Sequence, residues 1–128
     1  MKKLLIVDDQ KGIRLLLDEV FSKEGYKIHQ ASNGLEALKI LESEEVDCIL
    51  LDMKIPGMNG LEILKQIRDN KLSIPVFMMT AFREQELIDE AGKLGVVNYF
   101  TKPFNIFDIR NEVVKVLEQG QDYSVEDR

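Results

Sequence analysis

Cysteine is almost absent from this sequence: the 128 residues contain one, so no disulfide bridge is possible within one chain. That residue, Cys48, lies inside an apolar run, where we expect a small buried hydrophobic side chain rather than a reactive thiol. Without disulfides, stability depends on a hydrophobic core. The chain is long enough for one domain with such a core, since 45% of its residues are hydrophobic.

Positive charge and long hydrophobic runs are also scarce. Lysine and arginine number 17 against 23 acidic residues, which gives a formal net charge of −6. Nucleic acids and anionic membranes bind clustered lysine and arginine, so neither is expected as a direct partner. The apolar run at residues 4–7 is too short for a signal peptide or a membrane span. We therefore expect a cytoplasmic location.

Short apolar runs alternate with amphipathic helical patterns along the chain. Three runs are continuously apolar, which is typical of parallel strands buried on both faces, and two are mixed, which is typical of edge strands. The expected strands cover residues 4–7, 27–31, 46–51, 75–79 and 96–100. This alternation predicts one doubly wound, flavodoxin-like (βα)5 α/β domain over residues 1–119, with a parallel sheet in the order 2-1-3-4-5. Residues 120–128 lack periodicity and are expected to form a loose polar tail.

The helical patterns predict which residues face the core and where helices begin. In the first helix the apolar stripe leaves Leu15 outward and turns five residues inward: Ile13, Leu16, Leu17, Val20 and Phe21. Asn33 with Glu36 predicts the start of the second helix, and Asn105 the start of the last. The only histidine, His29, falls on a predicted edge strand, where we expect a solvated surface residue.

Polar side chains end four of the predicted strands, and parallel strands bring their carboxyl ends to one edge of the sheet. These residues are Asp8, Asp9, Asp52, Thr80 and Lys102. Three crowded carboxylates repel one another unless a cation neutralises them, and Mg²⁺ prefers such oxygen ligands. A carboxylate can act as the nucleophile of phosphoryl transfer, while an ammonium and a hydroxyl group bind the remaining phosphoryl oxygens. The pattern thus indicates a phosphoryl-accepting aspartate, for which we favour Asp52.

Each of these residues, taken alone, also fits an ordinary role. Asp8 and Asp9 suit a helix N-terminus, and Asp52 suits a turn before a proline and a glycine. Thr80 and Lys102 taken separately are typical surface residues. The convergence of all five on one sheet edge favours a functional site.

Four motifs resemble those of the receiver domains of bacterial response regulators, over residues 2 to about 119. They lie at residues 6–9 (IVDD), 51–58 (LDMKIPGM), 79–81 (MTA) and 101–104 (TKPF). The resemblance implies that Asp52 accepts a phosphoryl group from a sensor histidine kinase. It also implies Mg²⁺, or Mn²⁺ in its place, bound by Asp9, Asp52 and the Lys54 backbone carbonyl, with Asp8 acting mostly through water.

The same resemblance implies a conformational switch. Thr80 is similar to the hydroxyl residue that moves onto the phosphoryl group, and Phe100 stands at the position of a rotating aromatic side chain. Lys102 is similar to the lysine that pairs with the phosphoryl group, and the bond between Lys102 and Pro103 is similar to one that is cis.

Five segments are further similar to the stand-alone receivers of sporulation phosphorelays: residues 7–10, 12–14, 19–21, 23–26 and 51–58. This implies a monomer that passes its phosphoryl group to a histidine phosphotransferase, with an aspartyl-phosphate phosphatase as a further partner. Lys11 and Phe100 depart from the aromatic residue and the histidine of such receivers, which leaves the identity of the partners open. The implied partner surface, with the outward Leu15 added, is Gln10, Gly12, Ile13, Leu15, Leu16, Pro103, Phe104 and Asn105.

Other functions remain open at this stage. A stand-alone receiver can instead act by binding a target protein when phosphorylated. A Mg²⁺-dependent phosphohydrolase with an aspartyl nucleophile is an enzyme alternative, but it needs a second acid where Lys54 stands. A flavin or nucleotide binding module is weaker still, because no glycine-rich phosphate loop follows the first strand.

Overall fold

The computed structural model describes residues 1–70, 72–80 and 85–119, without the side chains of 85–87 and 119. In these ranges, five strands alternate with five helices: β1 (Lys3–Val7), α1 (Lys11–Ser22), β2 (Lys27–Ala31), α2 (Gly34–Ser43), β3 (Cys48–Asp52), α3 (Gly60–Asp69), β4 (Val76–Thr80), α4 (Gln85–Lys93), β5 (Asn98–Thr101) and α5 (Ile106–Gln119). The predicted tail 120–128 lies outside the described residues. None of the helices described is long and apolar enough to cross a membrane.

All strand pairs are parallel, and the sheet order is β2-β1-β3-β4-β5. The predicted fold class and strand order are therefore confirmed. β3 and β4 are buried at every position, as expected of strands covered on both faces, whereas the edge strands β2 and β5 are partly exposed. Because Val7 pairs with Leu51, the ends of β1 and β3 lie side by side in the centre of the sheet.

Two hydrophobic cores lie on opposite faces of the sheet. Leu5 and Val7 of β1 face a core shared with α2, α3 and α4, while Leu4 and Ile6 face a core shared with α1 and α5. This follows from the two-residue period of a strand. Each fully buried aliphatic side chain contributes about 1.5–3 kcal/mol, so the two cores together hold the strand ends in place.

The start of α1 differs from the predicted stripe. Leu15 is 51% exposed, as predicted, but Leu16 is 43% exposed, and the prediction that it faces inward is wrong. Leu17 and Phe21 are the residues of this helix that are buried. Residues four apart lie on one line of a helix, whereas Leu16 is turned by about 100° from Leu17 and falls on the flank.

His29 is also less exposed than predicted. Its side chain is only 16% exposed, and its Nε2 lies 3.9 Å from a carboxylate oxygen of Glu44. The strand period places His29 and Ala31 on the same side of β2, the side that α2 covers. The chain leaving α2 at Glu44 therefore shields a residue that the edge-strand pattern assigns to solvent.

Side-chain caps begin three of the helices. The Asn33 side chain accepts the Glu36 N–H at 2.9 Å, as predicted, although the Glu36 carboxylate accepts the N–H of Ser32 rather than that of Asn33.

The side chain of Asn105 accepts the N–H groups of Phe107 and Asp108, which confirms Asn105 as the N-cap of α5. The side chain of Asn59 caps α3 in the same way, in a complete capping box with Glu62.

Arg68, at the end of α3, lies at the amino edge of the sheet, by which we mean the side where the parallel strands begin. Its Nε donates to the Leu94 carbonyl at 2.7 Å, and its Nη1 donates to the carbonyls of Leu72 and Ile74 at 2.8 and 2.9 Å. Burial lowers the pKa of this guanidinium. Arg68 thus joins the loops that precede β4 and β5 through neutral backbone groups.

Candidate functional site

The carboxyl edge of the sheet brings together the five polar residues that the sequence predicts there. Asp8 and Asp9 follow β1, Asp52 and Thr80 end β3 and β4, and Lys102 follows β5. One oxygen from each of the three aspartates lies within 4.8 Å of the others. Asp8, Asp52 and Thr80 are buried, whereas Asp9 is exposed. The arrangement is a small acidic site that opens to solvent on the Asp9 side.

Lys102 joins the two buried carboxylates. Its Nζ lies 2.9 Å from Oδ2 of Asp8 and 3.2 Å from Oδ2 of Asp52. Burial opposes charging of the ammonium, but the hydrogen bond to Asp8 and the charge of Asp52 outweigh it and raise the pKa of Lys102. The ammonium is therefore charged and held between the carboxylates, where it can bind an incoming anionic oxygen.

The positive charge of Lys102 only partly offsets the burial of the Asp52 carboxyl group and the negative charge of Asp8. Burial and the negative charge of Asp8 raise the pKa of Asp52 to about 6, although Lys102 and the Lys54 N–H act in the opposite direction. That N–H lies 3.2 Å from Oδ1 of Asp52. A raised pKa of a carboxyl group within a charged cluster is typical of functional sites. Additional positive charge near Asp52 would stabilise the ionised form of this carboxyl group.

Asp8 is held through all four of its polar groups. Its N–H donates to the Ala31 carbonyl at 3.1 Å, and its Oδ1 accepts the Gln10 N–H at 2.8 Å. Oδ2 accepts from Lys102, and the backbone carbonyl accepts Nη1 of Arg14 at 2.8 Å. The contact of Arg14 was not predicted from the sequence, because nothing in the spacing of this residue shows that its side chain turns back to the strand end.

Gly60, the first residue of α3, lies against the backbone of Asp52. A Cβ added at Gly60 would lie 2.4 Å from the Asp52 carbonyl oxygen and 2.8 Å from Cα of Met53. The Gly60 N–H donates to the Met53 carbonyl at 2.8 Å. The role of Gly60 was not predicted from the sequence, although a glycine directly after the N-cap Asn59 is a signal of close backbone approach.

The other predicted site residues lie along the same edge. Thr80 is buried, and its carbonyl accepts the Lys102 N–H at 2.8 Å. Phe100 is buried and stacks on Phe77, with 5.7 Å between ring centroids. The peptide bond between Lys102 and Pro103 is cis, as the family resemblance implies.

The predicted partner surface comes from the two loops beside the site and the first turns of α1. Leu15 and Leu16 are exposed, and Ile13 and Phe104 are partly buried against the core on the α1 and α5 face. The other members of the predicted set are exposed: Gln10, Gly12, Pro103 and Asn105. The surface is therefore accessible, with two of its eight residues also supporting the core.

The residues present fit a hard divalent cation. Mg²⁺ is usually bound by one or two carboxylates at about 2.0–2.1 Å, with water or phosphoryl oxygens in the remaining positions. Asp9 and Asp52 supply two such carboxylates, and Asp8 supplies a third next to them. The raised pKa of Asp52 also fits, because a cation would stabilise its charged form.

Comparisons with known proteins agree with this geometry. The model of the response regulator receiver domain family matches residues 4–114. Sporulation initiation phosphotransferase F of Bacillus subtilis (strain 168) is 54% identical over 116 residues, which cover 91% of this chain and 94% of that protein. A CheY-like response regulator receiver domain protein from Methanospirillum hungatei has a TM-score of 0.87 at 28% identity, with 93% of this chain and 95% of that chain covered.

One similar structure holds a metal and a phosphoryl mimic. Response regulator protein TrrA from Thermotoga maritima, in complex with Mg²⁺ and BeF, has a TM-score of 0.80 at 36% identity. The match covers 91% of this chain and 99% of that one. A protein with a similar fold therefore has a solved structure as a complex with Mg²⁺ and BeF.

Proposed function

The chain belongs to the response regulator receiver domain family, and on that premise we propose that it accepts a phosphoryl group on Asp52 and passes it on in a phosphorelay. The observation that carries this proposal is the position of Asp52: a buried carboxylate at a strand end, 3.2 Å from the ammonium of Lys102 and beside two further aspartates. Positioning and charge neutralisation of this kind supply most of the catalysis in phosphoryl transfer.

In the proposed reaction an oxygen of Asp52 attacks the phosphorus of a phosphohistidine on a sensor histidine kinase. The O–P bond forms as the P–N bond breaks, and the electron pair of the P–N bond returns to the imidazole. Lys102 pairs with a phosphoryl oxygen, and the Thr80 hydroxyl donates to another. Movement of Thr80 and Phe100 then constitutes the switch.

Asp9, Asp52 and the Lys54 carbonyl would hold Mg²⁺, with Asp8 acting mostly through water. When bound, Mg²⁺ supplies positive charge that stabilises the phosphoryl oxygens, and Mn²⁺ is expected to substitute for it. The exposure of Asp9 supports this assignment, because the cation and its waters need access from solvent.

The onward step is transfer from Asp52 to a histidine phosphotransferase, and hydrolysis by an aspartyl-phosphate phosphatase would reset the protein. The similarity to sporulation initiation phosphotransferase F supports a sporulation-type relay. A receiver that instead binds a target protein when phosphorylated is the second candidate, since Leu15 and Leu16 expose apolar area beside the site.

Labelling with a small phosphodonor and Mg²⁺ tests the acceptor. Asp52 is expected to carry the whole label, and Asp52→Asn is expected to abolish it. The control is Asp47→Asn, because the Asp47 carboxylate accepts the Lys3 N–H at the other end of the sheet. Borohydride trapping followed by mass spectrometry identifies the position. Label on Asp8, Asp47 or a hydroxyl group contradicts the proposal.

Docking is tested by comparing two donors. Leu15→Ala should slow exchange with a histidine phosphotransferase, while labelling by the small phosphodonor stays unchanged. Leu35→Ala is the matched control, because Leu35 is 69% exposed on α2 and lies outside the predicted surface. Equal slowing with both donors would show that Leu15 supports the fold or the site, and the surface would then be wrong.

A further inference from the structure

Arg14 contacts the backbone at the acidic site although its side chain belongs to the first turn of α1. Its Nη1 donates to the carbonyl oxygen of Asp8 at 2.8 Å, and its Nε donates to Oε1 of Gln30 at 3.2 Å. The Asp8 carbonyl belongs to the peptide that leads into Asp9. The guanidinium therefore acts on the turn that delivers the exposed carboxylate.

The position of the guanidinium is itself determined by a chain of side-chain hydrogen bonds. Nε2 of Gln30 donates to Oδ2 of Asp18 at 2.6 Å, and Oγ of Ser22 donates to Oδ1 of Asp18 at 2.8 Å. Gln30 lies on β2, while Asp18 and Ser22 lie on α1. Because a planar guanidinium donates in fixed directions, this chain orients the bond to Asp8.

We propose that Arg14 is a positioning residue of the metal site, holding the peptide between Asp8 and Asp9 in the orientation that carries the Asp9 carboxylate to the cation. The inference rests on the proposed function, which assigns Asp9 as a metal ligand. Arg14 touches neither the metal nor the phosphoryl group in this role. It acts through the Asp8 carbonyl, as hydrogen-bond partners of metal ligands commonly do.

Charge and positioning predict opposite effects at this residue. Arg14 is a cation near an acidic site, so if only its charge mattered, Arg14→Gln would remove repulsion and strengthen Mg²⁺ binding. Arg14→Lys would then leave binding unchanged. If Arg14 positions Asp9, both variants lose the oriented fork and both weaken Mg²⁺ binding.

The experiment measures the dissociation constant of Mg²⁺ in the full chain, by amide NMR shifts without a phosphodonor. Arg14→Lys and Arg14→Gln are each expected to weaken binding by about tenfold or more, as loss of such outer partners does elsewhere. Gln30→Met leaves the charged side chains of Arg14 and Asp18 in place and is expected to weaken Mg²⁺ binding by less. Arg110→Gln is the matched charge control, since Arg110 lies on α5 over the Phe107 ring, and it should match wild type.

Wild-type affinity in Arg14→Lys, or tighter binding in Arg14→Gln, would overturn the inference. A fall in thermal stability with unchanged Mg²⁺ affinity would also overturn it, because that is the signature of a merely structural residue. If the Arg14 variants fail to fold, Gln30→Met decides alone, and unchanged binding there counts against the proposal. Absence of Mg²⁺ binding in the wild type would refute the proposed metal site itself, which is a separate result.

Discussion

Two partly buried cations lie at opposite edges of the same sheet, and their surroundings differ. Lys102, at the carboxyl edge, binds two carboxylates, and the pKa of Lys102 is raised. Arg68, at the amino edge, binds three neutral carbonyls, and burial lowers the pKa of Arg68. Lys102 therefore lies beside more negative charge than one ammonium neutralises, whereas Arg68 lies among backbone carbonyls to which it donates hydrogen bonds.

This difference separates chemistry from stability. At the carboxyl edge the ammonium of Lys102 contacts two of three clustered carboxylates, so a divalent cation and an anionic phosphoryl group can both enter with favourable charge. At the amino edge the guanidinium satisfies backbone groups of two loops, which favours a permanent contact. Changes at Lys102 should therefore affect transfer, and changes at Arg68 should affect unfolding.

The largest effect is expected from Lys102→Met. Without the ammonium, the phosphoryl oxygens lose a charged donor, and labelling of Asp52 should slow by about a hundredfold or more. The rate is followed with a small phosphodonor and Mg²⁺. Lys65→Met serves as the control, because Lys65 pairs with Glu90 on the surface. If Asp52 in the Lys102 variant is labelled at the wild-type rate, the assignment of phosphoryl transfer to the carboxyl edge is wrong.

Arg68→Met should produce the second effect, on stability. Three carbonyls lose their donor, and the free energy of unfolding should fall by roughly 3 kcal/mol. Urea denaturation measures the change. Arg110→Met, which removes a cation lying over an aromatic ring, should cost less than about 1 kcal/mol. If Arg68→Met changes Mg²⁺ affinity instead of stability, the assignment of the amino edge to stability is wrong.

Gly60→Ala should combine both kinds of effect at smaller size. The new Cβ would collide with the Asp52 carbonyl, so the strand end or α3 must shift, at about 2 kcal/mol. Labelling of Asp52 should slow as well, because the shifted peptide carries the carboxylate that we propose as the nucleophile. Gly12→Ala in α1 meets no atom within 4 Å and should stabilise the protein by about 0.5–1 kcal/mol. Equal stability changes in the two variants would remove the argument from close approach.

The smallest effect concerns the proton of Asp52 in the metal-free protein. Its folded-state pKa, about 6, lies above the ordinary value of 3.8, so the folded state binds this proton more tightly than the unfolded state does. The resulting stability is complete below about pH 4 and is lost as the pH rises through about 6. The full shift corresponds to about 3 kcal/mol, which solvent screening and the loss of contacts with Lys102 and the Lys54 N–H reduce, so Asp52→Asn should stabilise the protein by roughly 1 kcal/mol at about pH 7 and much less at about pH 4. Denaturation at both pH values, with a chelator present, tests the sign.

Much of the carboxyl edge could be predicted from the sequence. Apolar runs identify buried parallel strands whose carboxyl ends share one edge of the sheet, so the sequence alone predicts that Asp8, Asp52 and Lys102 lie close together at that edge. The order of the strands followed from which runs were mixed in polarity. These features depend on the chain locally and on the general handedness and packing of α/β sheets.

The amino edge and the supports of the site could not be predicted in this way. Arg68 and Arg14 have long side chains whose acceptors are backbone carbonyls, and backbone acceptors leave no mark on the sequence. The errors at Leu16 and His29 have a related cause. A stripe or an alternation shows which residues share a face, but the width of the covering element decides how much of that face is buried.

The bonds of Lys102 also bear on the order of folding. Its partners Asp8 and Asp52 lie 94 and 50 residues away in the chain, so these contacts join segments that are far apart in the sequence. Contacts between such distant segments generally form late, after local helices and neighbouring strands have assembled. A partly folded chain therefore carries Asp52 without the ammonium of Lys102 beside it. The charges that surround Asp52 are therefore brought together only when the fold is complete.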